Sequence, residues 1–188
     1  MEDAEQTPVI SQVLPHLYLG NFAAATNAAL LRAYAIKGII SVTLDVEVPE
    51  KLCSDLGIVK TDFHIPDGFF RDDQKRLLSE IIPRIKNLES SQQNCLINCW
   101  AGKSRSVSLV TAYLVWGGMD FRRAYRLVTS RHPIAAAKPH TMYCFIKHTD
   151  GKFSLANGFL VFRRWLKNLA GYILKKTKQK IISYFIKP

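Results

Sequence analysis

A chain of 188 residues with 48% apolar side chains is long enough for one well-buried core and too apolar to stay disordered. Its net charge of +11 is uneven: residues 1–150 hold 17 Lys and Arg beside all 15 acidic residues, whereas residues 151–188 hold nine Lys and Arg and no acid. The basicity belongs to a tail and says little about the main domain, for which no nucleic-acid partner is expected.

The opening stretch MEDAEQTPVIS is acidic and polar, which fits neither a secretory signal nor a mitochondrial-type presequence. Residues 1–8 are expected to be a flexible N-terminus. HLYLG (16–20) then reads as a short strand, and NFAAATNAALLRAYAI (21–36) as a helix with Ala, Leu and Tyr at helical spacing. KGIISVTLD (37–45) and IVKTDFHIP (58–66) are β-branched apolar runs that suit buried strands. DDQKRLLSEIIPRIKNLES (72–90) is an amphipathic helix with Leu77, Leu78, Ile81, Ile82, Ile85 and Leu88 on one side, and Pro83 predicts a kink in it. NCLINC is the next strand. SVSLVTAYLVWG (106–117) is a mostly buried helix, too short for the roughly 18 uninterrupted apolar residues of a membrane span. DFRRAYRLVTSRHP (120–133) is a helix stopped by Pro133. Strands alternating with helices predict an α/β fold, a central and mostly parallel sheet flanked by helices.

The four cysteines, Cys53, Cys95, Cys99 and Cys144, are expected to be reduced thiols of an intracellular protein. Cys95 and Cys99 would lie roughly 13 Å apart on an extended strand, too far for a disulfide. No Cys/His pairs stand at metal-ligand spacing, so neither a metal nor another cofactor is expected.

The chemistry concentrates in LINCWAGKSRSVS (96–108). A buried strand ending at Asn98 and a helix starting near Ser104 leave residues 99–105 as a loop at a helix N-terminus. Backbone N–H groups without intrahelical partners can converge there, and with the helix dipole they favour an anion. Ala101 and Gly102 are small enough for the backbone to approach a phosphate, and the Arg105 guanidinium matches two phosphate oxygens. The same positive surroundings would stabilise a thiolate on Cys99, a nucleophile aimed at phosphorus.

CWAGKSR resembles the Cys-then-five-then-Arg signature of the cysteine-based protein phosphatases. The longer AGKSRSVSLVTAYLV is similar to the small, atypical dual-specificity phosphatases, as are LPHLYLGN and SRHP, and the resemblance spans about residues 9–148. It implies a catalytic domain over 9–150 that dephosphorylates phosphotyrosine and phosphoserine/threonine of proteins through a phosphocysteine. It further implies Cys99 as nucleophile, Arg105 as phosphate clamp, and Ser106 as a hydroxyl that helps the thiolate leave. Asp67, in FHIPDGFF and 32 residues before the cysteine, would be the general acid, with Asp62, Asp72 and Asp73 ranked lower. Trp100, Ala101, Gly102, Lys103, Ser104 and Arg105 would bind the substrate phosphate. The sequence departs from the family at Asn98, where relatives have histidine, and at His140 in AAAKPHTMYCF, where they have asparagine. Asn98 is expected to lower activity rather than abolish it.

In residues 151–188, a predicted helix sets Phe162, Leu166, Leu169 and Ile173 along one side and Arg163, Arg164, Lys167 and Lys175 away from them. Three readings stay open: the helix lies on an anionic membrane surface through 159–188, packs on the domain, or joins an oligomer. KKTKQK is also a weak nuclear address beside an expected cytoplasmic location. Lys103 and the tail motivate an alternative, a phosphoinositide or other lipid phosphatase. Asn98 motivates another, a low-activity, phosphate-binding pseudophosphatase.

Overall fold

The computed structural model describes residues 7–44, 46–68, 72–148 and 154–185; the side chains of 72–78, 148 and 178–185 are outside the described set. Two short strands, β1 (Ile10–Leu14) and β2 (Leu17–Asn21), open the chain, followed by helices α1 (Phe22–Ala25) and α2 (Ala28–Ala33). Then come β3 (Ile36–Ser41), α3 (Glu50–Leu56), β4 (Val59–Asp62), α4 (Asp72–Ser90) and β5 (Asn94–Cys99). Four helices follow: α5 (Arg105–Trp116), α6 (Phe121–Arg131), α7 (Pro139–His148) and α8 (Leu155–Phe185).

The strands form one five-stranded sheet in the order β1-β2-β5-β3-β4. Only the β1–β2 pair is antiparallel; β5 lies parallel between β2 and β3, and β4 parallel beside β3. β5 is central because its sequence is apolar on both faces, as a parallel strand covered by helices on both sides must be. Leu17, Leu19, Ile40, Cys95, Ile97 and Cys99 pack in one core with residues of α4, α5, α6 and α7. On the other face Tyr18, Ile39 and Leu96 meet Ala25, Leu31 and Cys53 of α1, α2 and α3. The mostly parallel α/β arrangement is the one expected from the alternation of elements.

Several elements differ from their sequence expectation. The single helix over 21–36 is two helices, because two asparagines each start one: Asn21 accepts from Ala24 N and Asn27 from Leu30 N, both at 3.0 Å. The strand expected to reach residue 45 ends at Ser41. β4 is shorter than its apolar run, but the chain stays alongside β3, with Phe63 N donating to Ser41 O at 2.8 Å and Ile65 N to Thr43 O at 3.1 Å. α4 is, as expected, one helix over Asp72–Ser90 that carries Pro83 inside it, at an exposed position. Ile81, Ile82 and Ile85 are buried as expected, whereas Leu77, Leu78, Asp72 and Asp73 have side chains outside the described set. All four cysteines are free and buried. α7 packs its Met142, Phe145 and Ile146 fully into the core, so His140 does not prevent this helix from docking.

The packing of α4 on β3 depends on a missing side chain. A Cβ built on Gly38 would stand 2.6 Å from Leu88 Cδ1 and 3.0 Å from Cδ2. Gly38→Val is therefore expected to lower the unfolding free energy by about 1–3 kcal/mol, read as a shifted urea midpoint. An unchanged midpoint would mean that α4 does not seat on β3 in this way.

Candidate active site

β5 carries Cys99 to the carboxyl end of the sheet, and α5 begins only six residues later, so residues 100–104 must turn tightly between them. Cys99 is 2% exposed, and its Sγ lies 3.2 Å from Ser106 Oγ, on the second residue of α5. Side chains alternate along a strand, so Asn98 turns to the opposite face from Cys99. There its Nδ2 donates to Ser41 Oγ at 3.2 Å. Asn98 thus bears on the cysteine through the backbone and the strand, not through contact with sulfur.

The loop's carbonyls are tied outward one after another. Trp100 O accepts from Phe22 N at 3.0 Å, and Lys103 O from Ala136 N at 2.9 Å. Gly102 O accepts from Nε2 of His132 at 2.8 Å. Carbonyls held this way leave the loop's N–H groups toward its concave side, an arrangement that receives an anion. Gly102 has a fold-side reason to be glycine. Its φ is +67°, and a Cβ there would stand 2.9 Å from the backbone of Gly20. Gly102 does not line the pocket; it lets the loop sit against the end of β2.

His132 is fully buried and bridges two parts of the chain. Nε2 carries the proton donated to Gly102 O, and Nδ1 then accepts from Ser11 Oγ at 2.9 Å. Burial pushes its titration below the ordinary histidine range, although the bond to Gly102 opposes this. Sequence reasoning gave no histidine a role, although SRHP carried this one.

The remaining expected residues converge on one cavity of about 270 Å³, lined by Asp67, Cys99, Trp100, Ala101, Lys103, Ser104 and Arg105. Arg105 opens α5 and donates from Nη1 to Ile65 O at 3.0 Å, which fixes its fork beside the segment leading to Asp67. Trp100 is 41% exposed and stacks on Phe22 with ring centroids 5.5 Å apart. Ser104 Oγ accepts from Lys138 N at 3.1 Å, a structural use of the hydroxyl. Ser106 is buried behind Cys99 and does not line the cavity.

Asp67 has partners that the sequence did not suggest. Its Oδ2 lies 2.7 Å from Lys138 Nζ, and its Oδ1 accepts from Thr141 Oγ1 at 3.3 Å. Burial favours the neutral acid, but the hydrogen bond and charge of Lys138, helped by Ser104 and Arg105, outweigh it. The carboxyl is held below its ordinary range. Asp62, the lower-ranked aspartate, is instead paired with Lys60 at 2.7 Å on β4. Lys138 escaped notice because no local pattern links it to Asp67, 71 residues away. The other wall of the cavity was also missed: Trp165, Asn168, Leu169 and Tyr172 of α8. Among the described residues no cluster of three or more His, Cys, Asp or Glu could hold a metal.

The buried, neutral His132 has a signed consequence. The unfolded chain binds a proton at this residue below about pH 6.5 while the folded chain resists it, so stability is full above that pH and falls as pH drops through it. Melting temperatures taken from pH 7.5 to 5.5 should fall less steeply in His132→Gln, which keeps an N–H donor but does not titrate. Parallel slopes in the two proteins would contradict the neutral tautomer assigned here.

Residues 17–150 match the family model described as dual specificity phosphatase, catalytic domain. Dual specificity protein phosphatase 15 of Homo sapiens is 35% identical over 129 residues, covering 68% of this chain and 41% of that protein. This chain therefore spans less than half of that relative. Dual specificity phosphatase 28 of Mus musculus is 30% identical over 133 residues, covering 68% of this chain and 76% of that protein. The crystal structure of human DUSP28 shares the fold, with a TM-score of 0.67 at 23% identity over 77% of this chain and 95% of that one. The matched span contains β2 to β5, four of the five strands, and the cysteine loop, and the chain belongs to the dual specificity phosphatase catalytic-domain family.

Proposed function

We propose that this chain is a cysteine-dependent phosphatase that hydrolyses phosphotyrosine and phosphoserine/threonine in proteins through a phosphocysteine. The observation that carries the reading is that Cys99, Arg105 and Asp67 line one small cavity, with Ser106 Oγ 3.2 Å behind the sulfur. The names of the relatives support the substrate class.

In the first step Cys99 Sγ, as thiolate, attacks phosphorus in line with the leaving oxygen. The S–P bond forms, the P–O bond to the substrate breaks, and Asp67 gives its proton to the departing phenolate or alkoxide. The loop N–H groups and Arg105 hold the three remaining oxygens as charge redistributes over them. In the second step a water attacks phosphorus, Asp67 as carboxylate takes its proton, and the S–P bond breaks. Ser106 donates to the returning thiolate, and inorganic phosphate leaves.

Cys99→Ser should remove turnover of an aryl phosphate while keeping affinity for a phosphate mimic. Residual turnover in that variant would contradict the nucleophile. Lys138 adds a pH test. Asp67 must be protonated to act as the acid, and Lys138 holds it ionised to below the usual carboxylate range. Lys138→Met should move the alkaline limb of the kcat/KM profile to higher pH, whatever it does to the plateau. An unmoved limb would separate Lys138 from the acid.

The outer face of α8 favours a second element of the reading, an anionic membrane surface as a partner. Three of the four residues on the apolar side predicted from periodicity face outward: Phe162, Leu166 and Ile173 are exposed, in line with Leu155 and Phe159, while Leu169 lines the cavity. Nine Lys and Arg and no acid accompany them in residues 151–188. No described helix is long and apolar enough to cross a membrane, so contact would be along the helix. Binding to vesicles of mixed phosphatidylserine and phosphatidylcholine should be lost in Phe159→Glu/Phe162→Glu. Equal binding by that variant would remove the membrane from the account.

A further inference from the structure

α8 lies beyond the residues that match the family model, yet it forms one side of the reaction cavity. Trp165, Asn168, Leu169 and Tyr172 fall at i, i+3, i+4 and i+7, so a single stripe of the helix borders the space above Cys99. The stripe is anchored. Val161, one turn earlier on the same side, is fully buried, and Asn157 accepts from Arg122 Nε at 3.5 Å. Arg164 donates to three backbone carbonyls, those of Ala135, Pro133 and Thr129, at 2.8, 3.2 and 3.4 Å. The same stretch of chain holds the phosphate loop through Ala136 N and Lys138 N. Helix, connecting segment and loop are therefore one hydrogen-bonded unit, and its anchors at residues 157–164 set the start of the wall beside Cys99.

We propose that this stripe is a specificity wall that receives the ring of a phosphotyrosyl substrate and disfavours phosphoseryl and phosphothreonyl ones. The inference rests on the hydrolysis proposed above. Its physical basis is reach. In phosphoserine only Cβ and Oγ separate Cα from phosphorus, so bringing the phosphate over Cys99 draws the peptide backbone down between Trp100 and α8. Backbone N–H and C=O groups would then be desolvated against Trp165, Leu169 and Tyr172, which offer apolar surface. Phosphotyrosine places a whole ring between backbone and phosphate. The backbone stays at the mouth, and the ring meets aromatic and aliphatic faces that an alkyl phosphate leaves wet.

The test uses the full chain and two peptides identical except for phosphotyrosine or phosphothreonine at one position. Binding is measured in the Cys99→Ser background and turnover in the active chain, each with and without Trp165→Ala/Tyr172→Ala. Thr177→Ala, at an exposed position on the outer side of α8, is the control. The wall variant should weaken phosphotyrosyl-peptide binding by about tenfold, appearing in KM more than in kcat, and leave phosphothreonyl-peptide binding unchanged or stronger. Thr177→Ala should change neither. Should the double variant melt lower than its parent, Trp165→Leu, apolar but without a ring, repeats the comparison with less disturbance. Equal losses for the two peptides, no loss for either, or a gain for both would overturn the proposal, the last because α8 would then be obstructing the cavity. A parent chain that binds neither peptide, or prefers phosphothreonine, would overturn it as well. Failure of the hydrolysis reading appears separately, as absence of Cys99-dependent turnover in the parent, and the binding comparison still decides the role of the wall.

Discussion

A loop that binds an anion through its backbone must present N–H groups to the ligand, and its carbonyls must then find donors elsewhere. Here the donors come from three separate places: Phe22 at the start of α1, His132 after α6, and Ala136 in the segment before α7. Each is a hydrogen bond to a carbonyl of the same five-residue loop, and a carbonyl left without one inside the protein would cost roughly 1–3 kcal/mol. Much of the surrounding architecture follows from that demand. β2 must end close enough to meet Gly102, His132 must be buried with its proton on Nε2, and α6 must deliver it there.

The acid side of the cavity is set by a different balance. Burial alone would make Asp67 a ready proton donor, but Lys138 stands at 2.7 Å and holds it ionised. The lysine belongs to the segment that also secures the loop through its own backbone N–H. The placement of the loop and the charge state of the acid are thus coupled through one residue. α8 closes the assembly by hydrogen bonding to the same segment through Arg164 and by lining the cavity beyond it.

Four of the five strands, and the cysteine loop that follows β5, were legible in the sequence because their signals are local, whereas β1 was not expected. Cys95, Leu96 and Ile97 make an apolar run that suits a central strand, and after Asn98 the cysteine, small residues and arginine follow at fixed spacing. The split of the predicted 21–36 helix was also written locally, in Asn21 and Asn27, but helical periodicity across the break masked two cap residues. α3 carried a stop signal in Gly57, a left-handed residue just after its last turn, that went unused. Lys138, Thr141 and His132 were not legible as partners, since their roles depend on chain segments brought together only by the fold. In α8 the periodicity gave the helix but not its orientation. The apolar stripe through Phe162 and Leu166 left membrane, domain and oligomer open as its partner, whereas the side turned to the domain begins with buried Val161 and continues through Trp165 and Tyr172 along the cavity. Arg164, predicted only to lie away from that stripe, supplies three of the bonds that fix the helix.

The account depends most on a covalent bond between phosphorus and Cys99. Rapid mixing of the enzyme with an aryl phosphate, a denaturing quench within the first turnover, and mass spectrometry of the peptide containing Cys99 would test it directly. The account predicts a phosphoryl group on Cys99 that appears with the first burst of phenol and is absent from Cys99→Ser. Steady turnover with no adduct, persisting at the same rate in Cys99→Ser, would contradict it.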